Sequence, residues 1–274
     1  MKFFRTVLDF YINSSIHVAL AVFSLLKITV LYFGLEHDEL LSFFVFFATI
    51  TGYNFVKYVG VAKPHHRSLA KNLRIIQLFS FICFVFMCYY AYLLPLRTLL
   101  FFVPFGLLTF LYAVPFLSGF QKNLRSVGYL KIIVVALVWA GITVLLPIYA
   151  SETSITINMY LCTIQRFILV AVLILPFDIR DVQYDAISLQ TIPKKIGIEN
   201  TKKLGVVLLG ICLVLEFMIS PNAHFRTAFL IVFTMVLLLL MRSKVNQPKY
   251  YSSFWVESIP VIWLLLLLLN MSSK

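Results

Sequence analysis

Asp178, Asp181 and Asp185 end a long apolar run that reads Leu175-Pro-Phe-Asp-Ile-Arg-Asp-Val-Gln-Tyr-Asp185. The chain holds only 11 acidic residues in 274, and three of them fall in this one short stretch. At about 100° per residue, spacings of three and seven put all three carboxylates within roughly 60° of one helix face. Carboxylates held that close repel one another unless a cation neutralises them. In a chain otherwise suited to lipid, the pattern points to a divalent metal and a phosphorylated substrate.

The elements that must carry these residues are membrane helices. The sequence is 61% hydrophobic and 12% charged, with a mean hydropathy of +0.96. That lies outside the range of soluble domains. Runs long enough to cross about 30 Å of hydrocarbon recur. They are expected at about 11–33, 38–58, 76–94, 99–118, 130–150, 157–177, 204–220, 224–241 and 254–270. The expected architecture is all-α, a polytopic bundle of nine transmembrane helices around a central cavity open to the cytoplasmic side, with residues 1–274 as one transmembrane domain.

With the N-terminus in the cytoplasm, 18 of the 23 Lys and Arg fall in the N-terminal tail, the cytoplasmic loops or the adjoining helix ends. Arg97, Arg226 and Lys274 fall outside, and Lys27 and Arg166 fall within spans. This asymmetry fits the positive-inside rule with an odd number of crossings, which puts the C-terminus outside. The net charge of +12 is then a topology signal, with anionic membrane lipid as its partner, and does not indicate nucleic-acid binding. It also attracts an anionic substrate to the cytoplasmic mouth. Cys83, Cys88, Cys162 and Cys212 lie inside expected spans without metal-ligand spacing and read as small apolar packing residues. The longer expected loops, near 59–75, 119–129 and 178–203, all lie on the cytoplasmic side, where elaborated loops tend to carry chemistry.

After the aspartates the chain continues Ala186-Ile-Ser-Leu-Gln-Thr-Ile-Pro-Lys-Lys-Ile-Gly197. In this stretch it resembles the UbiA superfamily of intramembrane prenyltransferases, whose second acidic motif has aspartates at this spacing followed by a Thr or Ser, a Pro and a Gly, here Thr191, Pro193 and Gly197. A second patch is similar to the loop and fifth helix of the same family: Tyr112-Ala-Val-Pro115, Lys122-Asn-Leu-Arg125, and Lys131 onward to Ala140, then Thr143 to Pro147. The resemblance covers about 40–270. It departs at the family's first acidic motif, expected at the end of the second helix. There the chain reads Tyr53-Asn-Phe-Val-Lys-Tyr58, with no Asp or Glu anywhere from Leu40 to Ser151. Asn54 is kept, and Arg67 matches the basic end of that motif.

The resemblance implies transfer of a prenyl group from an isoprenoid diphosphate to an aromatic or other lipophilic acceptor. Ionising the allylic C–O bond requires that the charge of the leaving diphosphate be neutralised. Mg²⁺ on carboxylates does this, assisted by Lys or Arg. The carbocation needs a dry wall with aromatic faces, and the chain supplies 27 Phe and 14 Tyr. On this reading Asp178, Asp181 and Asp185 are the catalytic and metal-binding residues. Asn54, Lys57, Arg67, Tyr112, Lys122, Arg125, Arg180 and Lys194 are the candidate substrate contacts, and Mg²⁺ is the cofactor. A multi-pass protein of the bacterial inner membrane is the expected setting.

Other readings compete. With one acidic wall missing, the chain also fits a catalytically silent relative that binds isoprenoid lipid or partners another membrane protein. A transporter is disfavoured, because no inverted repeat or paired broken helices occur and charge gathers on one side instead of at the midplane. The aspartates could also be a solvated helix cap or an ion pair with Arg180, Lys194 and Lys195. His65 and His66 are adjacent, which on a helix is poor geometry for chelating one metal. Arg166, deep in the sixth span, calls for a buried partner, and Glu216 is the expected one.

Overall fold

Long apolar runs in lipid must satisfy their own backbone hydrogen bonds, so they form helices. In the computed structural model of the protein they do so throughout, and no strand occurs among the described residues. The structure describes residues 2–36, 38–58, 70–114, 124, 128–183 and 191–272. The principal elements are α1 (Lys2–Asn13), α2 (Ile16–Phe33), α3 (Glu39–Tyr58), α4 (Ala70–Leu93), α5 (Leu96–Ala113), α6 (Leu130–Ala140), α7 (Leu146–Ala150) and α8 (Ile157–Asp181). They continue with the short α9 (Ile192–Ile196), then α10 (Ile198–Ile219), α11 (Ala223–Arg242) and α12 (Ile259–Ser272).

Eight helical segments are long and apolar enough to cross a membrane, which makes this a multi-pass integral membrane protein. A further long helix, α10, covers the expected span 204–220 but carries Glu199, Lys202, Lys203 and Glu216. Large apolar side chains such as Phe81, Val85, Leu100, Val207 and Val214 point outward. Outward faces of that kind suit lipid and would be a liability in water.

Local chemistry sets the breaks. The expected span 11–33 is two helices, because Ser15 takes a left-handed conformation (φ 64°) and ends the continuity after α1. Gly34, also left-handed, closes α2 by donating its N–H to the Val30 carbonyl. Val114 is extended ahead of Pro115 and stops α5, earlier than the expected end at 118. Between α6 and α7 the backbone makes one π-helical turn, Gly141–Leu145, just before Pro147, whose missing N–H leaves a local gap in the ladder. At Gly141 a Cβ would overlap the ring of Phe105, so α5 and this π-helical turn approach closely only because the residue is glycine. A second π-helical turn, Tyr251–Val256, leads into α12.

The centre of the bundle is α2, which packs against α3 and α12, while α8 packs between α6 and α10. Hydroxyls within the spans bond back to their own helix, as Thr29 does to the Leu25 carbonyl and Thr49 to that of Val45. Each such bond satisfies a hydroxyl within its own helix. The helix α8 runs past its expected end at 177 to Asp181, so Asp178 and Asp181 sit on its last turns, not in a loop.

Candidate active site

A cavity of about 520 Å³ opens between α1, α3, α6, α8 and α12, within the range of small-molecule sites. Its charged end is built from helix termini on one side of the bundle: Lys57 on α3, Lys131 on α6, and Arg180 and Asp181 on α8. Asp9 on α1, Lys249 and Glu257 complete that end, giving four cations and three carboxylates. The opposite end is apolar, with Val134 and Val138 of α6 and Val170, Leu173 and Ile174 of α8. Tyr53, Tyr112, Trp139 and Phe177 add aromatic faces. Trp139 Nε1 donates to Tyr53 Oη at 2.7 Å, which fixes the two rings against each other.

On α8 the two described aspartates differ. Asp178 is fully buried, and Lys131 Nζ lies 2.6 Å from its Oδ1. Asp181 faces the cavity and accepts from Arg180 Nε at 2.7 Å, while the Arg180 guanidinium lies over the Phe177 ring. The helix face that gathers them is thus neutralised in part by protein cations, one from α6 and one from α8 itself. Asp185 lies outside the described residues. Among the described residues, no group of three or more His, Cys, Asp or Glu side chains could hold a metal by itself.

The α3 wall answers differently from the expectation. Asn54, a candidate substrate contact, is buried away from the cavity. Its Oδ1 accepts from Ser15 Oγ at 2.8 Å, and its Nδ2 donates to the Ser14 carbonyl and to Ser80 Oγ. Asn54 therefore ties the α1–α2 break and α4 to α3. Lys57 does line the cavity, with its ammonium donating to Ser15 Oγ at 2.9 Å and to the Ile12 carbonyl at 3.3 Å. Tyr112 lines it as well. Lys194, on α9, is absent from its lining. Arg67, Lys122 and Arg125 lie outside the described residues.

Sequence reasoning did not place Asp9, Lys249 or Glu257 in the site. Lys249 and Tyr250 both donate to Asp9 Oδ1, joining α1 to the segment before α12. Burial pushes the Asp9 carboxyl up, but those two hydrogen bonds and the nearby Arg5 outweigh it and hold the group below its ordinary value. Glu257 is half-buried on the cavity wall and close enough to Lys57 and Arg180 to feel their charge. One sequence signal marks Glu257: it is an acid within an apolar span, the same signal that marks Arg166.

Arg166 and Glu216 share one buried cluster, but not as the direct pair the sequence suggested. Arg166 Nη1 donates to the Leu25 carbonyl at 2.8 Å and its guanidinium lies 5.3 Å from the centre of the Trp263 ring. The Glu216 carboxylate accepts from Tyr32 Oη at 2.7 Å and from Gln165 Nε2 at 2.8 Å.

No family profile and no curated protein matches the chain in sequence. Solved structures do match in fold. A UbiA homolog from Aeropyrum pernix K1, in its apo form, superimposes with a TM-score of 0.69 at 14% identity over 92% of this chain and 98% of its own. A UbiA homolog from Archaeoglobus fulgidus bound to DMAPP and Mg²⁺ gives 0.63 at 13% identity over 97% and 100%. A digeranylgeranylglyceryl phosphate synthase gives 0.59 at 16% identity over the whole of both chains. The chain therefore has the fold of the UbiA homologs.

Proposed function

We propose that the protein is a divergent member of the UbiA superfamily that transfers a prenyl group from an isoprenoid diphosphate to an aromatic or other lipophilic acceptor. The observation that carries this reading is the polarity of the cavity, in which a cluster of cations and carboxylates at helix ends gives directly onto an aromatic and aliphatic pocket. A diphosphate fits the first and its prenyl tail the second. The likeness in fold to a protein solved with DMAPP and Mg²⁺ supports the same assignment.

In this mechanism Lys57, Lys131, Arg180 and Lys249 bind the phosphate oxygens and neutralise charge as the allylic C–O bond lengthens. Mg²⁺ is commonly held by one or two carboxylates together with substrate phosphates, not by an all-protein cage. Asp181, with Asp178 one turn deeper and Asp185 beyond the described residues, offers hard oxygen donors of that type. When bound, the ion supplies Lewis-acid stabilisation of the leaving group. Tyr53, Trp139 and Phe177 present ring faces to the developing carbocation, and the valines around them exclude water. On this reading the charged end faces the cytoplasm, which the positive-inside pattern supports, and the protein is a single domain of nine crossings in a bacterial inner membrane, a setting supported by the family resemblance.

The test is diphosphate release by the purified protein in lipid, with Mg²⁺, a series of allylic diphosphates and a panel of aromatic acceptors. Metal-dependent release that disappears in the double variant Asp178→Asn, Asp181→Asn is the expected result. Tight binding of the diphosphate without any release would instead identify a silent lipid-binding relative. That second reading draws its support from α3, whose wall lacks carboxylates and whose Asn54 is committed to packing.

A further inference from the structure

The carboxylates around the charged end of the cavity are not equivalent. Asp178 is paired with Lys131, Asp181 accepts from Arg180, and Asp9 accepts from Lys249 and Tyr250. Each has an oxygen already taken by a donor. Glu257 differs: among the described residues its carboxylate has no hydrogen bond and no ion pair, although it lines the cavity. A carboxylate in a membrane protein with no such partner is costly to keep, and one that faces a cavity marks a functional position.

The depth of Glu257 says what that function is. Along the chain the cavity wall passes from Lys249 and Tyr250 at the charged end, through Val256 and Glu257, to the apolar Pro260, and on the facing helix α3 Lys57 and Tyr53 stand one turn apart. Lys57 belongs to the charged end and Tyr53 to the aromatic end. Glu257 therefore stands at the boundary between the two, between the neighbouring wall residues Val256 and Pro260. If the diphosphate occupies the charged end and the tail the apolar end, this boundary is where the allylic carbon meets the acceptor.

We propose that Glu257 is the general base of the reaction, which makes the acceptor a protic one, a phenol, an alcohol or an arene that gives up a ring hydrogen. The inference rests on the prenyl-transfer reading. The allylic C–O bond breaks and the diphosphate leaves with its electron pair. The allylic carbon bonds to the acceptor oxygen or ring carbon, and the proton displaced from that atom passes to a Glu257 carboxylate oxygen and from there to water at the mouth. Walls of valine and aromatic rings limit the water that could take that proton directly. The other carboxylates near the boundary already have oxygens engaged by ammonium, guanidinium or phenol donors.

The experiment uses the full chain in lipid nanodiscs and compares wild type with Glu257→Gln and Glu257→Asp. Three quantities are read: binding of geranyl diphosphate with Mg²⁺, diphosphate release without acceptor, and transfer to a phenolic acceptor with and without ring deuteration. The proposal expects Glu257→Gln to bind the diphosphate within about threefold of wild type and to lose at least about 100-fold in transfer, the scale of a general base. It also expects a deuterium isotope effect to appear in the residual transfer, as deprotonation becomes limiting, and Glu257→Asp to recover part of the rate. Unchanged transfer in Glu257→Gln overturns the proposal. So does a parallel loss of binding and transfer in both variants, which would make Glu257 a positioning residue for Lys57 and Arg180. If wild type itself neither binds nor transfers any allylic diphosphate, the prenyl-transfer reading fails, an outcome separate from any effect of the variants.

Discussion

Arg166 and Arg180 stand on the same helix, about 21 Å apart along its axis, and their surroundings are opposites. Around Arg166 the charges are closed off: the guanidinium meets a backbone carbonyl and an indole face, and the Glu216 carboxylate is met by Tyr32 and Gln165. Both charged groups are only 1% exposed, and neither is part of the lining of the cavity. Around Arg180 the charges border open space: Lys131, Arg180 and Lys249 each meet a carboxylate, while Lys57 meets only a hydroxyl and a backbone carbonyl. Buried charge surrounded by fixed donors and acceptors holds helices together. Buried charge beside a cavity can be given to a ligand. The two clusters teach that an ionisable residue in a membrane span is read by what it faces more than by its depth.

Mutation can break or sharpen this contrast. The largest effect belongs to the cavity: Asp181→Asn should lower diphosphate release by about 100-fold or more, on the scale of lost electrostatic stabilisation at a reacting centre, with the thermal midpoint little changed. A steady-state release assay paired with a melting curve reads both. Next, Arg166→Met should destabilise by about 3 kcal/mol, as expected when one member of a buried charged cluster is removed, while leaving the affinity for geranyl diphosphate alone. Unfolding in mixed micelles and calorimetric binding test the two halves of that statement. If Arg166→Met instead abolished binding, the contrast between the clusters would collapse.

Lys57→Met should weaken diphosphate binding by about tenfold, one charge-assisted contact, and calorimetry measures it. Trp139→Phe removes the bond to Tyr53 Oη and should cost about 1 kcal/mol of stability, visible as a lower melting temperature. The smallest effect is at the mouth. Asp9 is held below its ordinary value by Lys249 and Tyr250, so its stabilisation is present above the usual carboxylate value of 3.8 and is lost as pH falls through the still lower folded value. Asp9→Asn should therefore cost under about 1 kcal/mol at neutral pH, and nothing once the acid form prevails. Melting curves across that pH range would show the difference closing.

Much of this was readable in the sequence, for physical reasons. Apolar runs announce their helices, and the acids at 178 and 181 stand out because so few others exist in the chain. The position of Lys57 in the last turn of its span was readable too. The rest was hidden by distance along the chain. Asn54 matches a motif in type, but its amide is claimed by Ser15, which only the left-handed break between α1 and α2 brings near. Lys131 carries a motif-like neighbourhood, yet its pairing with Asp178 needs α6 and α8 to be adjacent. Glu257 and Asp9 reach the cavity from the two ends of the sequence, and no local pattern relates them. Arg166 and Glu216 were correctly placed in one neighbourhood, while the side chains between them were not foreseeable from spacing.

That the cavity wall joins Asp9 of α1 to Lys249 and Glu257 also bears on how the protein is made. Lys57, Lys131, Arg180 and Asp181, on α3, α6 and α8, are synthesised well before Lys249 and Glu257, so one side of the pocket is the later to be made. A product terminated before residue 249 would lack that side of the pocket and leave Asp9 without the two donors Lys249 and Tyr250.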